Sequence, residues 1–389
     1  MPDLHVLVVG AGIGGLTAAL ALQRAGCRVS VYERAPSLGE VGAGVTITPN
    51  ACHALNHLLG ADTVRRIAHV PHSGAVKHFR TGATLVDTRR GERQRLRYGA
   101  DYCQAHRADL HRALADAVRA HDADCLHAGY AFVDLDLEDS VVTARFANGQ
   151  TATGDVLVGA DGIHSVVRTR LWGADEPRFT GYIAWRGIVP VAALDPVFRA
   201  PDSASFAGPG RTFTRYKVRR GTLFNFVAFS QRKRWATEGW SERADLAEVL
   251  AEFADFAPEV QAILQTVEPA ECFKWGLFER APLQRWTRGR ATLLGDAAHP
   301  MTPFLAQGAA MAIEDGLVLA RAIAAASNSE AALARYEAAR YERATFVMRE
   351  SQVNARRIYS RDPNEVTRSS HRNAETLGLY EYNPVTVPI

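Results

Sequence analysis

The sequence is poor in cysteine and in net charge. Its 389 residues include five cysteines, and no two of them form a C-x-x-C pair. An odd, scattered set argues against a disulfide framework or a zinc site and is typical of a reducing compartment, so we expect a cytoplasmic protein. The formal net charge of +3 gives no reason to expect nucleic acid as a partner.

Long apolar runs are also scarce. The stretch from Val6 to Leu22 is an apolar, uncharged run close to the roughly 18 residues that a membrane span needs, but glycines interrupt it. We therefore expect no membrane association. With 47% hydrophobic and 22% charged residues, the composition is that of an ordinary globular protein, and the length suggests two or more domains.

The first fifty residues have the order strand, glycine turn, helix, strand. The β-branched run His5–Val9 precedes a G-x-G-x-x-G triplet, and the second strand ends at Glu33. In this pattern Gly10 allows a tight turn, Gly12 lets backbone amides approach a pyrophosphate, and Gly15 lets helix and strand pack closely. An acid at the place of Glu33 suits an adenosine ribose and disfavours a 2′-phosphate. The segment therefore predicts a bound FAD or NAD rather than NADP.

A second loop of this kind follows the strand at 291–294. Its sequence, "GDAAHPMTPFLAQGAAMAIEDG", places Asp296 at a strand end, then two prolines, then a helix start almost without side chains. An acid there can bind a ribityl hydroxyl, and a bare helix N-terminus can stabilise the negative charge of a reduced flavin. A nicotinamide enzyme with one glycine fingerprint has no need for such a loop. The stretch therefore favours FAD.

Two further segments have similar features. "GDVLVGADGIHSVVR" runs from a strand into Asp161 and Gly162 and then into a helix that contains Arg168. In "HRADLHRAL", Arg107 opens a helix with apolar residues at helical spacing.

The four segments, in this order, resemble the single-component (group A) FAD-dependent aromatic monooxygenases of the para-hydroxybenzoate hydroxylase type. The stretches "GYIAWRGIVP", "CFKWGLFERAPLQRW" and "GDAAHPMTPFLAQGAAMAIEDG" are most similar to salicylate hydroxylase, 3-hydroxybenzoate 6-hydroxylase and 6-hydroxynicotinate 3-monooxygenase. The resemblance implies an α/β fold: a Rossmann-like FAD-binding domain with an inserted antiparallel-sheet substrate domain and C-terminal helices. The expected boundaries are 1–75, 100–171 and 276–325 for the FAD-binding domain, 76–99 and 172–275 for the substrate domain, and 326–389 for the C-terminal helical segment and tail.

The resemblance also implies which residues hold the cofactor. They are Gly10, Gly12, Gly14, Gly15, Glu33, Arg34, Gly44, Val45, Arg107, Asp161, Arg168, Asp296, Pro303, Gln307, Gly308 and Ala309. Asp161 and Arg168 would serve both FAD and the NADH or NADPH co-substrate. Arg34 is either a stacking partner of the adenine or a solvated side chain. His299 lies in the loop that begins at Gly295, which is called the flavin loop below. It is expected to fix this loop rather than to transfer protons.

The catalytic candidates are Tyr216, Arg186 and Tyr102. The segment 172–275 alternates between apolar and polar residues and is rich in aromatics, which predicts an antiparallel sheet beside the flavin. Strand alternation puts Arg215 and Lys217 on the face opposite Tyr216, so these residues cannot all line one pocket. We favour Tyr216 as the residue that faces the pocket.

The sequence leaves two alternatives for the removal of the substrate proton. Where relatives have a histidine in the sheet and another in the GAG loop, this chain has Thr212 and Thr46, and Lys217 replaces a usual proline. These changes argue against a hydroxynicotinate or 3-hydroxybenzoate substrate. Either the substrate arrives ionised, or water relays the proton.

The implied reaction is hydroxylation by a flavin C4a-hydroperoxide, formed from O2 after reduction by NADH or NADPH. The expected substrate is a small anionic phenolic or N-heteroaromatic acid, hydroxylated either without decarboxylation or, as salicylate is, with it. A monooxygenase of a larger polycyclic natural product or drug is the alternative, and a flavin-binding protein without turnover is a third hypothesis. We expect no metal site, and a monomer or homodimer. The basic run Arg89–Arg97 is expected to be a solvated hairpin, with an anion-binding site as the alternative.

Overall fold

The computed structural model describes residues 4–39, 43–89, 91–235, 242–358 and 372–389. Its strands are β1 (His5–Val9), β2 (Arg28–Glu33), β3 (Gly44–Ile47), β4 (Ala68–His69), β5 (Ser73–His78), β6 (Thr84–Arg89), β7 (Cys103–His106), β8 (Leu126–Ala128), β9 (Phe132–Leu137), β10 (Val142–Phe146), β11 (Thr151–Gly154), β12 (Val156–Gly159), β13 (Arg178–Pro190), β14 (Ser203–Gly208), β15 (Arg211–Val218), β16 (Leu223–Gln231), β17 (Glu242–Arg243), β18 (Phe273–Glu279) and β19 (Ala291–Leu293).

The helices are α1 (Ile13–Arg24), α2 (Pro49–Leu59), α3 (Ala61–Ile67), α4 (Glu92–Tyr98), α5 (Arg107–His121), α6 (Val166–Trp172), α7 (Leu246–Glu252), α8 (Pro258–Thr266), α9 (Gly308–Ala325) and α10 (Ser329–Ile358). Among the described residues, no helix is both long and apolar enough to cross a bilayer.

A five-stranded parallel sheet forms the centre of the first unit, in the order β19-β12-β1-β2-β8. Its central strands are apolar on both faces, as parallel strands covered on both sides require. The helix α1 packs against α5 and α9, and the small antiparallel sheet β11-β10-β9 contributes to the same core. The predicted α/β, Rossmann-like architecture is therefore present in this unit.

An eight-stranded sheet forms the second unit, in the order β17-β18-β13-β16-β15-β14-β5-β6. It is antiparallel except where β14 pairs with β5 in parallel. One face is covered by α7 and α8 through an aromatic core that includes Phe213, Phe226 and Phe253. The opposite face is turned towards the short sheet β3-β7-β4 of the first unit.

Two local predictions are wrong. The basic run is not a hairpin, because α4 occupies most of it, with Gln94 and Tyr98 as its buried face and glycines of positive φ at both ends. The sequence pattern also predicts a helix over roughly Glu242–Phe256, but α7 begins only at Leu246, because Asp245 caps it by accepting from the Ala247 N–H at 2.9 Å. The residues just before it form the short strand β17.

The C-terminal segment packs on the chain's own body. The 30-residue helix α10 runs along α9, and residues 372–389 return to cover α2 and Tyr98. Arg343 on α10 donates to the Leu379 carbonyl at 3.0 Å, and Arg321 on α9 donates to the Pro384 carbonyl at 2.8 Å.

Candidate active site

The glycine loop after β1 contains two kinds of glycine. A Cβ at Gly10, where φ is +105°, would lie 2.4 Å from the Ala160 carbonyl oxygen, and a Cβ at Gly15 would lie 2.0 Å from the Gly10 carbonyl oxygen. These two glycines are required by the protein's own packing. A Cβ at Gly12 would meet nothing within 4 Å. The loop is therefore open at Gly12, where a ligand can approach the backbone at the start of α1.

The loop is held in place by groups on both sides. Glu33, at the end of β2, accepts hydrogen bonds from the Ala11 and Ala35 N–H groups, each at 2.9 Å. His111 on α5 donates to the Ala11 carbonyl at 2.7 Å, a contact that we did not predict from the sequence. Arg34 is exposed beside Glu33.

Gly14 has a packing role. A Cβ there would lie 2.9 Å from the Leu294 side chain and 3.0 Å from the Ala312 Cβ. Leu294 follows β19 and Ala312 lies on α9. The small residue therefore lets α1 approach the second predicted flavin segment closely.

Asp296 lies in a tight turn shortly after β19. Within the described part of the chain, its carboxylate accepts no hydrogen bond. Burial raises the pKa of Asp296 above its usual range, and His299 and Arg107 partly oppose this effect. The structure thus brings Arg107 from the start of α5 near Asp296. A desolvated carboxylate without a protein donor is suited to the hydroxyl groups of a ligand.

The N-terminus of α9 is open as well. No side chain caps the helix, and its first turn holds no acid. The Gln307 side chain is turned inward, where its amide donates to Thr48 Oγ1 at 3.1 Å and accepts from Asn50 at 3.0 Å. The backbone N–H groups of Gly308 and Ala309 therefore belong to a helix end that can face an electron-rich ring. Pro303 begins the turn before it.

A buried ion cluster stabilises this loop from behind. Asp315 accepts from the Gly295 N–H at 3.0 Å and from Arg340 Nε at 2.7 Å, and it lies 2.6 Å from His299 Nε2. Burial alone would raise the pKa of Asp315, but His299 and Arg340 lower it to about 2. His299 thus fixes the loop that carries Asp296.

Glu314, the neighbouring acid, links the loop to α2 and α10. It pairs with Arg340 at 2.6 Å and Arg343 at 2.9 Å, and accepts from Asn50 at 2.6 Å. Within the described ranges, both cations that pair with Glu314 lie on α10. The sequence predicted neither this cluster nor the stabilisation of the flavin loop by arginines of α10.

The side chains of Asp161 and Arg168 are engaged by the protein. Asp161 accepts from Ser165 Oγ at 2.5 Å and from the Val166 N–H at 2.7 Å, which caps α6. Arg168 is buried, pairs with Asp175 at 2.6 Å, and donates to the two carbonyl groups after Asp296 at 3.3 and 3.4 Å. Direct contact of either side chain with FAD or NAD(P)H stays a prediction.

The large sheet meets β3 at Gly44. The Gly44 N–H donates to Asn225 Oδ1 at 2.6 Å, and a Cβ at Gly44 would lie 2.6 Å from the Tyr216 hydroxyl oxygen. Asn225 lies opposite Tyr216 in the β15–β16 register. Glycine is thus required at position 44 because the Tyr216 side chain packs on its backbone. Val45 is the next residue of the strand and is half-buried.

The three catalytic candidates are neighbours. Burial raises the pKa of the Tyr216 hydroxyl, Tyr102 raises it further, and Arg186 lowers it. The Arg186 guanidinium lies 5.1 Å from the Trp275 ring centroid and 5.7 Å from that of Phe273. A buried cation and a buried phenol therefore lie together on the sheet face that is turned to β3.

Arg215 and Lys217 lie on the other side of the sheet. Arg215 is fully buried and donates to Glu259 on α8 at 2.7 Å, while Lys217 pairs with Asp202 at 2.9 Å. Thr212 is buried on the Tyr216 face, and Thr46 lies on β3.

Aromatic rings flank the sheet face that carries Tyr216. Phe304, from the flavin loop, rests on the sheet with its ring 5.3 Å from Phe229 and 6.2 Å from Tyr182. On another side, Tyr380 of the C-terminal segment lies 6.2 Å from Tyr102. The rings of Phe304, Phe229, Tyr182 and Tyr380, which come from the loop, the sheet and the tail, are called the aromatic enclosure below.

The fold and this site define a flavin-dependent monooxygenase. A family model described as "FAD binding domain" matches residues 3–351, and the chain belongs to this family. It is 38% identical to a 3-amino-4-hydroxybenzoate 2-monooxygenase of Streptomyces platensis, over 97% of this chain and 95% of that protein. It is 35% identical to a 6-hydroxynicotinate 3-monooxygenase of Pseudomonas fluorescens, over 92% of this chain and 93% of that protein.

A solved structure agrees with this assignment. Klebsiella pneumoniae HpxO, complexed with FAD and uric acid, matches with a TM-score of 0.88 and 27% identity, over 98% of each chain. The expected membership of the FAD-dependent aromatic monooxygenases is confirmed, and so is FAD as the cofactor.

Proposed function

We propose that the protein uses NAD(P)H and O2 to hydroxylate a small anionic phenolic or N-heteroaromatic acid. The observation that carries the proposal is the buried group formed by Arg186, Tyr216 and Tyr102 beside Gly44. A cation and a phenol in an aromatic enclosure suit a flat substrate with a carboxylate and a ring hydroxyl. The names of the relatives support this substrate class.

The residues present fit FAD. The open backbone at Gly12 and the start of α1 would hold its diphosphate, Glu33 its ribose, and Asp296 with Arg107 its ribityl region. The start of α9 would face the ring system, and reduced FAD supplies the electrons that activate O2 for oxygen transfer. The lone carboxylate of Asp296 and the uncapped helix are the features that a bound cofactor would complete.

The protein groups then act on the aromatic substrate. Arg186 would attract the carboxylate or favour the ionised ring hydroxyl, which makes the ring electron-rich. Since burial raises the pKa of Tyr216, its hydroxyl stays protonated at neutral pH and can donate a hydrogen bond to a phenolate. Phe304, Phe229 and Tyr380 would exclude water, which limits the loss of activated oxygen as peroxide.

Proton removal is assigned to the substrate or to water. Thr212 and Thr46 offer hydroxyl groups but no base. We therefore propose that the substrate binds already ionised or that a water relays its proton. An acid with a ring hydroxyl of low pKa is the better substrate on this view.

The domain division predicted from the sequence is part of the proposal. The FAD-binding domain would comprise residues 1–75, 100–171 and 276–325, the substrate domain 76–99 and 172–275, and the C-terminal segment 326–389. The parallel sheet supports it, because all five strands come from the first set of ranges, while six of the eight strands of the large sheet lie between 178 and 279.

A cytoplasmic enzyme that works as a monomer or homodimer belongs to the same proposal. The cytoplasmic location is supported by the five cysteines, which are all buried free thiols, as expected in a reducing compartment.

The test measures NADH and NADPH oxidation, peroxide release and products with the FAD-loaded protein. The panel contains 3-amino-4-hydroxybenzoate, 6-hydroxynicotinate, 3-hydroxybenzoate and salicylate. We expect at least one acid to stimulate oxidation with little peroxide and to gain one oxygen atom. If no acid stimulates oxidation, the proposed substrate class is wrong.

A variant pair on β13 tests the role of Arg186. Arg186→Met removes a charge-assisted hydrogen bond of about 1.5–3 kcal/mol, so KM for the acid should rise roughly tenfold to a hundredfold. Arg178→Met is the matched control, because Arg178 is exposed on the same strand. Equal KM values for both variants would remove Arg186 from the site.

A further inference from the structure

A cleft of about 460 Å³ lies at the junction of the two sheet units, between α3, α5 and the turn that joins β15 to β16. Its charged lining consists of Arg66, Arg112, Arg219, Arg220, Asp109 and Asp116. Four arginines against two aspartates leave an excess of two positive charges. The volume is in the range of small-molecule sites.

Two of these four arginines are available to a ligand. Arg219 is held by Asp109 through two hydrogen bonds of 2.8 and 3.0 Å. Arg112 and Arg220, in contrast, are exposed, and neither forms an ion pair or hydrogen bond with any residue that the structure describes. Guanidinium groups of this kind bind phosphate in a bidentate manner.

The turn that carries two of the arginines is strained. Arg219 has φ of 48° and Arg220 has φ of 55°, in the left-handed region that glycine or asparagine occupies at least cost. Two consecutive arginines in this conformation place both side chains at the cleft. Strain that a fold retains at such a position points to a use for the side chains.

The cleft is close to the cofactor site. On the opposite face of α5, His111 contacts the glycine loop, so the cleft lies about one helix diameter, roughly 10–12 Å, from that loop. Arg219 follows the last residue of β15 and lies three positions after Tyr216, which is about 10 Å of extended chain. A ligand with its phosphates in the cleft can therefore extend towards the flavin.

We propose that this cleft binds the diphosphate of the reduced nicotinamide dinucleotide. The inference rests on the proposed function, which requires such a reductant. The G-x-G-x-x-G loop is taken by FAD, and the side chains of Asp161 and Arg168 are engaged by protein groups, so the diphosphate of the reductant needs further phosphate-binding groups. The cleft provides unpaired arginines, a net positive charge and a position between the two sheet units.

The test follows anaerobic reduction of the bound flavin in the full-length, FAD-loaded protein. The variants are Arg112→Ala, Arg220→Ala and the double variant that combines them. The control is Arg335→Ala, which changes an exposed arginine on α10. The NADH or NADPH concentration for half-maximal reduction should rise roughly tenfold for each arginine removed. Reduction by dithionite, which needs no nucleotide site, should be unchanged. Calorimetry should show that ADP binds the wild type and that the double variant binds it at least tenfold more weakly.

The possible failures are distinguishable. If NADH or NADPH reduces the wild type and the double variant equally well, the cleft is not the reductant site and the proposed function stands. If neither nucleotide reduces the wild type, the proposed function is wrong, and calorimetry with ADP and with pyrophosphate still decides whether the cleft binds phosphate. Absence of binding by both probes overturns the inference.

Discussion

Asp296→Asn is expected to have opposite effects with and without FAD. In the absence of cofactor, Asp296 is a partly buried carboxylate without a donor, and burial raises its pKa. A folded-state pKa above the unfolded value means that the ionised group destabilises the fold, and this penalty grows as the pH rises through the folded pKa. At pH 7 the neutral asparagine should therefore stabilise the cofactor-free protein.

In the FAD complex the same substitution is expected to be unfavourable. A hydrogen bond to a charged carboxylate contributes about 1.5–3 kcal/mol, whereas a neutral one contributes about 1 kcal/mol. The difference of roughly 1–2 kcal/mol corresponds to FAD affinity that is about 5- to 30-fold weaker in the variant. The increase in Tm on adding FAD should shrink accordingly.

Two measurements check this pair of effects. FAD titration followed by fluorescence quenching gives the affinity, and thermal unfolding with and without FAD gives both Tm values. Asp139→Asn is the control, because Asp139 is exposed and far along the chain from the flavin loop. An unchanged FAD affinity together with a lower Tm of the cofactor-free variant would refute the role of Asp296.

Four further predictions concern the ion cluster and the enclosure. Arg340→Met leaves the buried acids Glu314 and Asp315 short of a cation, which costs about 3–5 kcal/mol of unfolding free energy. At roughly 0.8 kcal/mol per degree for 389 residues, Tm should fall by about 4–6 °C. Arg335→Met, at an exposed position, should leave Tm unchanged. Asp315, with a pKa of about 2 against 3.8, should contribute roughly 2 kcal/mol above pH 4 and lose it as the pH falls towards 2, so Asp315→Asn should flatten this part of the urea-measured stability profile. Tyr216→Phe should raise the peroxide released per NAD(P)H while leaving FAD content unchanged. Tyr380→Ala should also raise peroxide release, whereas Tyr380→Phe, which keeps the ring against the enclosure, should not.

The features predicted best from the sequence are local. The spacing of Gly10, Gly12 and Gly15 before a helix, with an acid at the end of the next strand, indicated a dinucleotide because each requirement is set within about 25 residues. Strand alternation likewise separates Tyr216 from Arg215 without knowledge of the fold. In both cases the backbone geometry alone decides which side chains share a face.

The features that the sequence did not predict depend on distant pairs. Gly44 meets Asn225 across 181 positions, and Asn50 meets Glu314 across 264. No periodicity within one element specifies such partners. One signal was present, since two adjacent acids within an apolar helix need buried cations, and α10 carries Arg340 and Arg343 on one face.

The flavin loop, α10 and the C-terminal tail are therefore connected by direct contacts. Arg343 donates both to Glu314, which holds Asn50 near the start of α9, and to the carbonyl of Leu379 in the tail. Its guanidinium also lies 4.0 Å from the Tyr382 ring centroid. The family match ends at residue 351, yet the tail beyond it supplies a partner of Arg343 and the Tyr380 side of the enclosure. Substitutions in residues 372–389 would thus change both the substrate pocket and the contacts that support the flavin loop. Substitutions in the glycine loop would not have this combined effect.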